Sequence, residues 1–247
     1  FNLAIENYKR AITIKPDFSE AYVNMGNVLK AQGNIDKALS NYGRAIKIKP
    51  DFFEAYINMG NAQRTKGDLE AAISSYEQAI KINPRYVDVY INLGNALKAK
   101  GNPEAAVKNY KKALKVKPDF AEAYYNIGNA LREQGDTDGA TKSYKQALKI
   151  KPEFADACYN IANILKEQGD MLAAIKKFKE TLQINAHYTD AKINLANTLK
   201  ATGDMTGAIK LYDTLTDPQS IAKALECTYF LENADDFNKR IESISKK

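Results

Sequence analysis

One unit of 34 residues is rewritten along almost the whole of this 247-residue chain. Pairs of asparagines mark the period most plainly: Asn24 with Asn27, Asn58 with Asn61, Asn92 with Asn95, Asn126 with Asn129, Asn160 with Asn163, and Asn194 with Asn197. A period in this range means a single supersecondary unit that cannot bury its apolar face alone and must stack on its copies. That constraint overrides the one or two globular domains that length alone would suggest.

Glycine recurs in step at Gly33, Gly67, Gly101, Gly135, Gly169 and Gly203, each followed by Asn or Asp. A helix ends readily on glycine, and a following Asn or Asp can accept the orphan N–H groups of the next helix. Proline recurs at Pro16, Pro50, Pro84, Pro118 and Pro152, where a fixed φ and a missing donor stop the second helix. Each unit therefore reads as helix, turn, helix, stop.

Windows beginning at Ser19, Phe53, Val87, Ala121, Ala155 and Thr189 carry mostly apolar or small residues at positions 4, 7, 8 and 11 and again at 20, 21, 24, 27 and 28. In the first window these are Tyr22, Met25, Gly26 and Leu29, then Ala38, Leu39, Tyr42, Ala45 and Ile46. Both sets have the spacing of one face of an amphipathic helix. Position 8 (Gly26, Gly60, Gly94, Gly128) and position 20 (Ala38, Ala72, Ala106, Ala140, Ala174, Ala208) stay small, as expected where helices cross closely.

These features resemble the tetratricopeptide repeat, or TPR, with Tyr56, Met59, Gly60, Ala72, Tyr76, Ala79 and Pro84 in its signature places and Tyr standing for the family's Trp. The resemblance implies an all-α fold, a right-handed superhelical solenoid of stacked helix–turn–helix units. Residues 1–18 match only the second helix of a truncated repeat, 19–218 hold six tandem units, and 219–247 form a degenerate helix pair expected to cap the stack or join it to a further domain. The pattern decays toward that end, where Ala186 replaces the proline and Lys192 the aromatic.

On a helical wheel positions 6 and 9 fall on the arc opposite the apolar face, so both asparagines of every pair are expected to point away from the core. In the family the first helices line the concave surface, and the resemblance then implies asparagine rows along an inner groove. An amide can hold a peptide bond by its C=O and N–H together. All twelve asparagines are therefore candidate peptide-binding residues. Their closest likeness is to the repeat region of the O-linked N-acetylglucosamine transferases, whose groove holds substrate chains on an asparagine ladder; "NLGN" at 92–95 carries that likeness. Inter-repeat or helix-end hydrogen bonds are the alternative role. Asparagine forgoes up to about 0.7 kcal/mol of helix propensity per residue, roughly 5–8 kcal/mol for the twelve, which favours a function for them.

Beside them run an acidic row at position 2 (Glu20, Glu54, Asp88, Glu122, Asp156, Asp190) and a basic row at position 12 (Lys30, Arg64, Lys98, Arg132, Lys166, Lys200). Complementing the helix dipole explains both. The basic row can also line the groove and attract acidic stretches of a partner. Position 5, where chaperone-binding members of the family carry a clamping lysine, holds Val23, Ile57, Ile91, Tyr125, Tyr159 and Ile193, so chaperone tails are not expected.

The expected function is a protein-interaction scaffold binding an extended peptide or protein. The alternative is the substrate-docking arm of a larger glycosyltransferase or other modifying enzyme. No enzyme is read within these residues, and no cofactor, metal or small-molecule substrate is expected. His187 reads as a turn residue, and Cys158 and Cys227 as small buried hydrophobes. The net charge of +6 arises from 36 basic and 30 acidic residues spread along the chain, as on solvated helix faces. Nucleic acid is disfavoured because only Tyr125 and Tyr159 offer stacking surfaces on the concave arc. No apolar run has membrane-spanning length, no membrane partner is expected, and the cytoplasm is the expected location.

Overall fold

The computed structural model describes residues 1–230, and these form fourteen α-helices with no strand among them. α1 (Asn2–Ile14) precedes pairs formed by α2 (Ser19–Ala31) with α3 (Ile35–Ile48), α4 (Phe53–Lys66) with α5 (Leu69–Ile82), and α6 (Val87–Ala99) with α7 (Pro103–Val116). Then come α8 (Ala121–Glu133) and α9 (Thr137–Ile150), α10 (Ala155–Glu167) and α11 (Met171–Ile184), α12 (Thr189–Ala201) and α13 (Met205–Tyr212), and finally α14 (Pro218–Phe230). The second helix expected for the C-terminal pair falls outside the described residues.

The turn chemistry follows the sequence. Gly67 closes α4 with φ 89°, a left-handed conformation that a Cβ would strain, and the other five turn glycines share it at φ 80–88°. The next residue then caps the second helix. Asp68, Asn102, Asp136, Asp170 and Asp204 each accept an N–H from three residues on, at 2.8–3.0 Å. Asn34 makes no such bond.

The links between repeats close in two ways. In the Lys-Pro-Asp/Glu-Phe form, the lysine ammonium lies over the phenylalanine ring, as with Lys49 above Phe52 at 4.8 Å and Lys117 above Phe120 at 5.1 Å. Where asparagine and tyrosine replace that pair, Asn83 and Asn185 instead accept the backbone N–H two residues on. His187 donates one of these and is exposed in its turn, as expected.

Packing divides the chain into two compact units, Phe1–Ala140 and from Thr141 on, with the division inside α9. In the first, Ala38, Tyr42 and Ala45 of α3 meet Tyr22, Met25 and Leu29 of α2 and Ala55 and Ala62 of α4. Ala72, Tyr76 and Ala79 of α5 pack likewise with Val89, Leu93 and Ala96 of α6. In the second unit, Phe178 and Tyr212 anchor a core that reaches Ala224 and Cys227 of α14. α3, α5, α7, α11 and α13 thus each pack between their own first helix and the next helix. Cys158 and Cys227 are both buried and unbridged.

Candidate functional site

The asparagine face is built on a contact between glycine and tyrosine. The rings at position 24 lie directly over the glycines at position 8: a Cβ on Gly26, Gly60 or Gly94 would stand 2.6, 2.6 or 2.3 Å from Cε1 of Tyr42, Tyr76 or Tyr110. With the ring that low, its hydroxyl emerges beside position 9. Tyr42 donates to Asn27 Oδ1 at 2.8 Å, Tyr76 to Asn61 at 2.7 Å, and Tyr110 to Asn95 at 2.7 Å. These tyrosines are fully buried and the asparagines half-buried. Burial pushes the Tyr42 phenol up to about 12. It raises Tyr76 too, where the adjacent Arg64 guanidinium works the other way.

This differs from the wheel-based expectation for the second row. The carbonyl ends of Asn27, Asn61 and Asn95 are bonded to core tyrosines, because the phenol is long enough to cross over the glycine and reach the far side of the helix. The first row differs between the two units. Asn24 is exposed, Asn58, Asn92 and Asn126 are half-buried, and none of their side chains makes a hydrogen bond among the described residues. Asn24, Asn27 and Asn58 open onto a pocket of about 670 Å³ between α2 and α4, with Val23, Phe52 and Phe53 as its apolar lining.

In the second unit the rows are tied to each other. Position 24 of the fifth repeat is Phe178, which has no hydroxyl. Asn163 Oδ1 instead accepts from Asn194 Nδ2 at 3.1 Å, and the same Nδ2 donates to the Tyr159 hydroxyl at 2.8 Å. Tyr159 packs against Tyr188 with ring centroids 5.0 Å apart. Asn197 Oδ1 accepts from Tyr212 at 2.8 Å and from Lys223 at 3.2 Å. Asn129 and Asn160 are also engaged within the protein.

The charged rows are partly paired along the repeat. Lys98 bonds Glu133 at 2.9 Å and Lys200 bonds Glu226 at 2.6 Å, each a carboxylate of the following unit. Arg64 lies by Tyr76 and Arg132 is engaged, whereas Lys30 and Lys166 are half-buried with no side-chain partner among the described residues. At position 2, the Glu20 carboxyl is held below its usual range first by a backbone hydrogen bond at its own position, then by the Ser19 hydroxyl, with Lys49 and Lys15 adding to it. That is the helix-end role of an acid.

Sequence reasoning took the tyrosine row for core alone and missed its hydrogen bonds. The signal was there in the fixed spacing of 15 residues from Asn27 to Tyr42, Asn61 to Tyr76 and Asn95 to Tyr110.

A TPR repeat model matches residues 1–33, 26–65, 60–101, 94–131 and 128–169, and a tetratricopeptide repeat model matches 165–220. The chain belongs to the tetratricopeptide repeat family. No curated protein matches it in sequence. Among solved structures, MamA aligns with TM-score 0.61 at 25% identity over 66% of this chain and 95% of its own. YrrB, a TPR protein with an unusual peptide-binding site, aligns at 0.60 with 22% identity over 76% of this chain and 96% of its own. PilF of Pseudomonas aeruginosa aligns at 0.68 with 16% identity over 93% and 97%. The last two likenesses are of fold. Among the described residues of this TPR chain, no His, Cys, Asp or Glu cluster could hold a metal ion, and no helix is long and apolar enough to cross a membrane.

Proposed function

We propose that this TPR chain is a protein-interaction scaffold that holds an extended segment of a partner against the asparagine-bearing faces of its first helices. One observation carries the reading: among the described residues the amides of Asn24, Asn58 and Asn92 make no hydrogen bond, while they recur at one helix position. A free amide beside an apolar-lined pocket can pair with a peptide bond while neighbouring surface takes up side chains. The same fold carries a peptide-binding site in YrrB. The resemblance to the O-linked N-acetylglucosamine transferase repeats supports the reading through these asparagines, and we assign the chain no reaction of its own.

Panning a random linear peptide library displayed on phage tests it. The wild-type chain should enrich peptides that Asn58→Ala/Asn92→Ala binds at least about tenfold more weakly, since two hydrogen bonds to a bound backbone are lost. Circular dichroism should show the helices intact. No enrichment by the wild type, or equal binding by the double variant, would overturn the reading.

A further inference from the structure

The tyrosine contacts give the asparagine face a direction, and this deepens the groove reading on which it rests. A carboxamide has its acceptor and its donors at opposite ends of one planar group. When Tyr42, Tyr76 and Tyr110 hold the Oδ1 ends of Asn27, Asn61 and Asn95, the Nδ2 ends are left on the side away from the ring. The first-row amides beside them have no such restraint and can turn either end to a ligand. Asn194 has the opposite character. Both hydrogens of Asn194 Nδ2 are used, one on Asn163 Oδ1 and one on Tyr159.

We propose that Tyr42, Tyr76 and Tyr110 are positioning residues that make Asn27, Asn61 and Asn95 a row of donors for the carbonyl oxygens of an extended peptide, and that Asn194, whose donors are spent where Phe178 offers no hydroxyl, is closed to it. The ligand's shared chemistry is its backbone carbonyl, which every sequence has. The row therefore selects for an extended chain able to present carbonyls toward it rather than for particular side chains. Phe178 also shows that the ring position accepts phenylalanine, being fully buried in its own repeat. Ala196, which sits at the glycine position above Tyr212, shows that a tyrosine with its asparagine bond fits beneath alanine, the residue that Ala162 places above Phe178. Hydroxyl exchange in both directions is thus sterically open.

The test is side-chain amide NMR of the whole chain, first free and then titrated with acetyl-tetraalanine amide as the backbone probe. In the free protein, Tyr76→Phe should loosen the Asn61 amide, seen as faster rotation about its Cγ–Nδ2 bond or a lower order parameter, with Asn95 unchanged. On titration, Asn61 and Asn95 should respond and Asn194 should not. Tyr76→Phe should weaken the response at Asn61 by about fivefold, the worth of one orienting hydrogen bond. Phe178→Tyr, whose hydroxyl can take over Asn163 Oδ1, should bring Asn194 into the responding set, and it provides the test if Tyr76→Phe fails to fold. Equal responses at Asn61 and Asn194 in the wild type, or an Asn61 amide indifferent to Tyr76→Phe, overturn the assignment of the tyrosines alone. A probe that moves no asparagine overturns the groove reading, and the donor row with it.

Discussion

At the residue scale, the phenols of Tyr42, Tyr76, Tyr110 and Tyr212 do two jobs that pull on the same atom. Each fills the space between helices and each delivers a hydroxyl to an asparagine, so each must stay protonated while buried. Burial pushes Tyr42 and Tyr212 up to about 12, with Cys227 and Glu226 adding to the effect at Tyr212. Tyr110 is raised further, chiefly by burial and then by Glu133. A folded-state value above the unfolded one, about 10 for tyrosine, means stability that is complete below about pH 10 and lost as pH rises toward the folded value. The melting temperature should therefore fall across that window, and Tyr42→Phe should make the fall shallower while lowering stability at neutral pH by about 1 kcal/mol through the lost hydrogen bond. Melts followed by circular dichroism with tyrosinate absorbance check it; a slope unchanged by the substitution would remove Tyr42 from the alkaline transition. Helical periodicity alone hides these bonds, and only the constant 15-residue offset from asparagine to tyrosine hints at them. A helical wheel gives the direction of a Cβ, and it places positions 8 and 9 on different arcs. It does not show that a six-membered ring laid over a glycine carries its hydroxyl past that boundary.

At the scale of the element, the turns were the most legible part of the chain, because glycine, aspartate and proline act through local backbone geometry that no neighbour needs to complete. Gly67 and Asp68 show the two halves of the device, a left-handed residue to end α4 and a carboxylate to start α5. The cap bond from Ala71 to Asp68 should make Asp68→Ala cost about 1 kcal/mol, whereas Asn34→Ala, which removes no side-chain bond, should cost little. Urea midpoints of the two variants at constant m-value decide this. Equal losses would show that the cap bonds are not what stabilises these helix starts. The pairing of the charged rows was less legible. Lys98 and Glu133 are 35 residues apart, and their meeting depends on how one first helix is placed beside the next. Spacing within one window can show that position 12 is basic, but not that the next window supplies its carboxylate.

At the scale of the whole molecule, stability is distributed by neighbour contacts. Within the first unit α5 packs on α4 and α6, and within the second α13 packs on α12 and α14. In such an array an energetic injury should spread to adjacent helices and fade beyond them, because stability is close to a sum of repeat and nearest-neighbour terms. Ala72 is a suitable place to test this: it is fully buried in α5, at the position that stays alanine in all six windows. Ala72→Leu adds bulk where the helices close on one another and should cost about 1–3 kcal/mol. Native-state hydrogen exchange should show the lost protection concentrated in α4, α5 and α6, with α12 and α13 nearly unchanged. A uniform drop along all helices would instead mean that the chain unfolds as one cooperative body, and that its repeats share stability well beyond their immediate contacts.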